Sequence, residues 1–301
     1  MKNFLITLYG KFDLEKYKRD FREDFFGVEV SMFPDLKEVD ILVRKSASEN
    51  FRFGIHFPLI DSRRLIRDPL FLTLDENERK DAFADFEDEI KLASEIGADY
   101  ILTHFPKPVI LNGRLDWSCW RFPSKSEKVY EESYPFPLAR ENSHAAFCKL
   151  SHLSKKYGVK IILECDALNC YFYSTDLFEN LFSEYPDLKM CIDTGRLHMM
   201  ELTDASFDPP SFIRRMAKYT YLVHLWNVNP DINKLGGHFP VLPEQSSEEG
   251  WADIGLYLRS LASVNTGAKV LFEHRSEFIE REMLDRCYKW IESLYGGETN
   301  S

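Results

Sequence analysis

The chain has 301 residues, 44% of them apolar and 29% charged, with a formal net charge of −11 and a pI near 5.3. Those are globular values with room for a large core. The acidic surplus speaks against a nucleic-acid partner, whose phosphates require Lys and Arg, and no apolar run is long enough for a signal peptide or a membrane span.

Taken in order, apolar, β-prone runs begin at Phe4, Phe26, Phe51, Ala98, Val159, Leu188, Tyr221 and Ala268. Helical patterns fill most of the intervals. After the third run, Thr73 and Glu76 have capping-box spacing, and Phe83, Phe86, Ile90, Ala93 and Ile96 form an apolar stripe that Gly97 stops. After the fourth, Ser143 is expected to open a helix with Phe147, Leu150, Leu153 and Tyr157 inward and Gly158 beyond it. After the eighth, Ser276 is expected to open a helix with Ile279, Met283, Trp290, Ile291 and Leu294 inward, ended by Gly296.

Strand–helix alternation repeated eight times predicts an α/β fold, a single (β/α)8 TIM barrel over residues 1–301. Two connections are too long for plain turns, at about 106–142 after strand four and 227–250 after strand seven. Both leave strand C-terminal ends, the active face of such barrels. Six cysteines (119, 148, 165, 170, 191 and 287) without a CxxC pair read as reduced thiols of a cytoplasmic protein.

The last four runs each end on a ligand-type side chain: Glu164, Asp193, His224 and Glu273. Strand alternation places them inward, each above an inward apolar residue: Ile162, Cys191, Leu222 and Leu271. Any one of these carboxylates could pair with an Arg or cap a helix, and a lone His is more often structural. On four successive strands, their common cause is one divalent ion. Oxygen donors with one imidazole suit Mn²⁺, Mg²⁺ or Co²⁺, and Zn²⁺ is also admissible.

The segments GIHFP (from Gly54), ILTHFP (from Ile101), IILEC (from Ile161), CIDTGRLH (from Cys191), VHLWN (from Val223), HFPVL (from His238) and LFEHR (from Leu271) resemble, in this order, the xylose-isomerase-like TIM barrels. That group holds ketose epimerases, hydroxypyruvate isomerases, inosose dehydratases and the apurinic endonuclease branch. The resemblance implies that Glu164, Asp193, His224 and Glu273 hold one metal ion, and that Glu164 and Glu273 also exchange protons with the substrate. The expected function is that of a metal-dependent isomerase or epimerase acting on a sugar, sugar phosphate or sugar acid through an enediolate. The alternatives are a dehydratase, an apurinic endonuclease and a non-catalytic sugar-binding barrel. The three-zinc arrangement of the endonucleases is broken at two places, where Arg196 and Gly236 replace the His and Asp of that pattern. The expected partner is therefore a small carbohydrate, with no nucleic acid and no membrane.

Further candidates for substrate contact are His56 and His104 at the ends of strands three and four, His198, His238, Asn227 and Arg275. Arg196 could hold an anionic substrate group or form a structural ion pair beside Asp193. Lys107 reads as a solvated lysine, and His274 as structural by its outward parity.

Overall fold

The eight apolar runs become eight parallel strands: β1 (Phe4–Tyr9), β2 (Gly27–Ser31), β3 (Arg52–His56), β4 (Tyr100–His104), β7 (Lys160–Glu164), β8 (Leu188–Asp193), β9 (Thr220–Leu225) and β10 (Lys269–Phe272). They close into a barrel in the order β1-β10-β9-β8-β7-β4-β3-β2. The computed structural model describes residues 1–61, 66–230 and 237–295. A separate two-stranded sheet, β5 (Val109–Leu111) with β6 (Lys128–Tyr130), lies in the long connection after β4. Helices stand between the barrel strands, so the (β/α)8 expectation is met.

Two apolar layers hold the barrel. Outward strand residues such as Val28, Val30, Ile55 and Ile161 pack under the helices. Inside the ring, Leu5, Tyr100, Leu102, Ile162, Cys191, Leu222 and Leu271 form their own buried cluster. The inward parity expected for Ile162, Cys191, Leu222 and Leu271 therefore holds, and the polar residues two positions later face the barrel mouth.

Helix starts differ from the sequence expectation. The helix Glu76–Ile96 is capped by Asp75, whose side chain accepts from the backbone of Asn77 and Glu78; Thr73 donates to Glu78 instead. The next long helix runs Phe136–Tyr157, so Ser143 is buried in its interior, and Pro at the first turn marks the start. The connection expected over 106–142 is correspondingly shorter as a loop. Ser276 begins a short 3₁₀ turn, and the last helix, Arg281–Tyr295, buries Leu284, Cys287, Tyr288, Ile291 and Tyr295. Ile279, Met283, Trp290 and Leu294 are only partly buried, because the helix starts later and its inward face rotates. Gly97 and Gly158 do end their helices in the left-handed region, at φ of 77° and 67°. Gly296 lies outside the described residues, as does Gly236.

Candidate metal centre

Parallel register brings the strand ends together. His104 pairs with Glu164 across β4 and β7, and Asp193 pairs with His224 across β8 and β9. Glu273 follows β10 directly. Glu164, Asp193, His224 and Glu273 each present a ligand atom within 4.8 Å of the others. Glu164, Asp193 and His224 are buried, and Glu273 is partly exposed toward the mouth.

The donor set lacks the hydrogens that would satisfy it. Glu164 Oε2, His224 Nδ1 and Glu273 Oε2 are buried without a hydrogen-bond partner. His224 Nδ1 approaches Glu273 Oε2 to 3.0 Å and Glu164 Oε1 to 3.5 Å without bonding geometry. Buried polar atoms are normally paired, and two carboxylate oxygens and an imidazole nitrogen left unpartnered so close together fit a cation. Burial and the adjacent Glu164 carboxylate push the Asp193 carboxyl up to about 8. Burial also works against the charge on Glu164, but the His224 and His104 imidazoles outweigh it and hold that carboxyl well below the usual range. The four residues thus fit a divalent ion.

His56 and His104 adjoin this set. Each places Nε2 at 3.3 Å from Glu164 Oε2, and the three residues again bring ligand atoms within 4.8 Å of one another. His56 Nδ1 is 3.1 Å from the Phe57 carbonyl, and His104 Nδ1 is 2.8 Å from Asp68. Burial pushes the His104 imidazole down, but Asp68 and Glu164 prevail and raise it to about 9.

Arg196 lies within the cluster, its guanidinium shared by three acids. It is paired with Asp166, and its Nε is 3.5 Å from Glu164 and 3.4 Å from Asp193. Its Nη2 is 3.2 Å from His104 Nε2. Lys107 is not solvated: it is 3% exposed and pairs with Asp166 at 2.6 Å and Asp68 at 3.3 Å. A lysine after a strand points to solvent unless acids meet it, and here three do, the third being Glu127 at 3.5 Å.

The other candidates lie around the rim. His238 is partly exposed, its ring 4.0 Å from that of Trp226. It lines, with Glu273, Arg275, Lys16, Thr7 and Tyr9, a cavity of about 370 Å³ that opens the site to solvent. Arg275 is exposed and bonds Glu277. Asn227 is turned into its own loop, with Nδ2 donating to Gln245 and Oδ1 accepting from Val228 and Ala252. His198 is buried apart from the cluster, with its nitrogens 3.2 Å from Glu201 and from the Gly250 carbonyl.

Sequence reading missed Glu29, Asp68 and Asp166. Asp166 and Glu29 had a signal, one standing two residues after Glu164 and the other interrupting an apolar run. Asp68 had none, because it lies in a loop with no periodicity.

Among solved structures, a D-tagatose 3-epimerase-like protein is 14% identical with a TM-score of 0.65, covering 98% of this chain and 97% of its own. The TTHB071 protein of Thermus thermophilus, soaked with ZnCl2, is 16% identical with a TM-score of 0.62 over 99% and 100%. D-Psicose 3-epimerase of Clostridium cellulolyticum H10, solved with D-tagatose, is 14% identical with a TM-score of 0.57 over 98% of each chain. At such identities the likeness shows the shared fold. No curated protein matches the sequence. The sequence model described as xylose isomerase-like TIM barrel matches residues 25–287, and with the closed eight-stranded barrel this shows that the chain belongs to that family.

Proposed function

We propose that the protein is a divalent-metal-dependent isomerase or epimerase acting on a sugar, sugar phosphate or sugar acid. The observation that carries this reading is the convergence of Glu164, Asp193, His224 and Glu273 within 4.8 Å, with ligand atoms of Glu164, His224 and Glu273 buried and unpartnered. The epimerases among proteins of like fold support it. All six cysteines are unpaired, which suits a reducing cytoplasm, and among the described residues no helix is long and apolar enough to cross a membrane.

A divalent ion held by the four residues supplies positive charge that polarises a sugar carbonyl and acidifies the neighbouring C–H. The chain's own residues do the rest. Glu164 ends β7 and Glu273 follows β10, with β8 and β9 between them round the ring, so they border the substrate space from two sides. One carboxylate takes the proton, giving an enediolate, and the other returns it. Return to the opposite face inverts the carbon; return to the adjacent carbon moves the carbonyl. His56 and His104 border the same space and are placed to hydrogen-bond substrate hydroxyls. His238 and Arg275 line the mouth where the distal end of the substrate would lie. Arg196 is spent on three acids, so in this reading it keeps the carboxylates in place and does not grip an anion.

The test is a panel of ketoses, ketose phosphates and sugar acids offered to the Mn²⁺-loaded protein, with products identified by NMR and mass. One substrate is expected to convert without change of mass, and Glu273→Gln and Glu164→Gln are each expected to lower turnover at least about 100-fold. Loss of water from the product would move the protein to the dehydratases. Full activity of Glu273→Gln on every responsive substrate would defeat the reading.

A further inference from the structure

Below the ion-binding set lies a carboxylate that no step above uses. Glu29, in the middle of β2, is 1% exposed and points into the apolar cluster inside the barrel. A carboxylate buried there is costly unless donors meet it. Two do. The Tyr100 hydroxyl donates to Glu29 Oε2 at 2.8 Å. His224 Nε2 lies 3.3 Å from one oxygen of Glu29 and 3.4 Å from the other.

Tyr100 is itself seated by the backbone. It pairs in register with Gly54 on β3, and a Cβ at Gly54 would lie 2.0 Å from the Tyr100 ring. Only glycine leaves that ring its place. Gly54, Tyr100, Glu29 and His224, from four different strands, thus form a chain from the barrel interior to the imidazole. The other nitrogen of that imidazole, Nδ1, is the one that faces Glu164 and Glu273.

We propose that Glu29, seated by Tyr100, is the positioning residue for His224. It accepts a hydrogen bond from Nε2–H and so fixes the tautomer whose Nδ1 lone pair faces the other ligands. It also restrains rotation of the ring and strengthens Nδ1 as a donor. Carboxylates behind ligating imidazoles act in this way in metal sites generally. The inference rests on the reading that a divalent ion binds there.

Wild type, Glu29→Gln and Tyr100→Phe are titrated with Mn²⁺ by calorimetry, with melting of the metal-free proteins recorded alongside. Glu29→Gln is expected to weaken Mn²⁺ about 10- to 100-fold, and Tyr100→Phe about two- to tenfold. Long-range ¹H–¹⁵N spectra of the Zn²⁺-loaded wild type are expected to place the His224 proton on Nε2. A merely structural Glu29 would change the metal-free melting and leave the Mn²⁺ affinity of the folded variant unaltered, which overturns the proposal. A His224 proton on Nδ1 also overturns it. Should Glu29→Gln fail to fold, the Tyr100→Phe affinity and the wild-type spectrum decide, and an unchanged affinity in Tyr100→Phe overturns the proposal. Wild type binding neither ion would defeat the functional reading itself, whereas tight binding by both wild type and Glu29→Gln defeats only the role of Glu29.

Discussion

Arg196 sets the electrostatics of the barrel mouth at the level of single residues. Its guanidinium meets Asp166, Glu164 and Asp193, and these acids raise its affinity for the proton above the ordinary value although burial opposes that charge. Removing one member of a buried charged group leaves the others uncompensated. Arg196→Met is therefore expected to lower the stability of the metal-free protein by about 3 kcal/mol, read from urea denaturation, with millimolar Mn²⁺ recovering part of the loss. The four candidate ligands were legible in the sequence because each interrupts a strand pattern at the position where parity turns inward. Their convergence within 4.8 Å follows from register, which alternation alone does not dictate: a register shift between Met190 and Cys191 is what sets Asp193 opposite His224. Lys107, Asp68 and Asp166 were not legible as a buried group, because alternation gives a side chain's direction and not its depth. What buries Lys107 is a set of three acids, Asp68, Glu127 and Asp166, that approach from the connections after β3, β4 and β7.

Strands were easier to read than helix starts. Every barrel strand begins within a few residues of its apolar run, since burial on both faces writes a continuous signal. Helix N-termini depend on which of several nearby oxygens reaches the free backbone N–H groups, and Asp75 does so where Thr73 has the expected spacing. The helix Thr194–Thr203 shows how closely elements abut at the site. It is capped by the side chain of Asp193, which accepts from the backbone of Arg196, so one residue both ends β8 and starts the helix. At its first turn, Gly195 lies against the Trp226 ring, where an added Cβ would approach to 2.4 Å. Gly195→Ala is expected to cost about 1–3 kcal/mol and to shift the tryptophan fluorescence, because the displaced ring is the one that packs against His238.

The whole molecule depends on a ring closed between the first strand and the last. Phe4, Leu5 and Ile6 of β1 pair with Val270, Leu271 and Phe272 of β10. Around that junction, buried Asp20 accepts from Lys16, Arg19 and Ser276, and the Tyr288 hydroxyl donates to the Asp20 carbonyl. Burial pushes the Asp20 carboxyl up, but Arg19 and Lys16 prevail and hold it below its ordinary 3.8. A carboxyl with a depressed folded pKa contributes stability that is present above the unfolded value and lost as pH falls through the folded one. Asp20→Asn is thus expected to be less stable than wild type by about 1.5–3 kcal/mol at neutral pH, with the gap narrowing below pH 3.8, measured as urea midpoints across that range. The seam has a kinetic consequence. β10 is only four residues long, and Glu273 stands at its tip. On its other side β10 pairs with β9, so the four ligands lie on the contiguous strands β7, β8, β9 and β10 and do not wait for the seam with β1 to close. A divalent ion held there would brace that half of the barrel both before and after the seam closes, and so slow the opening of the finished protein.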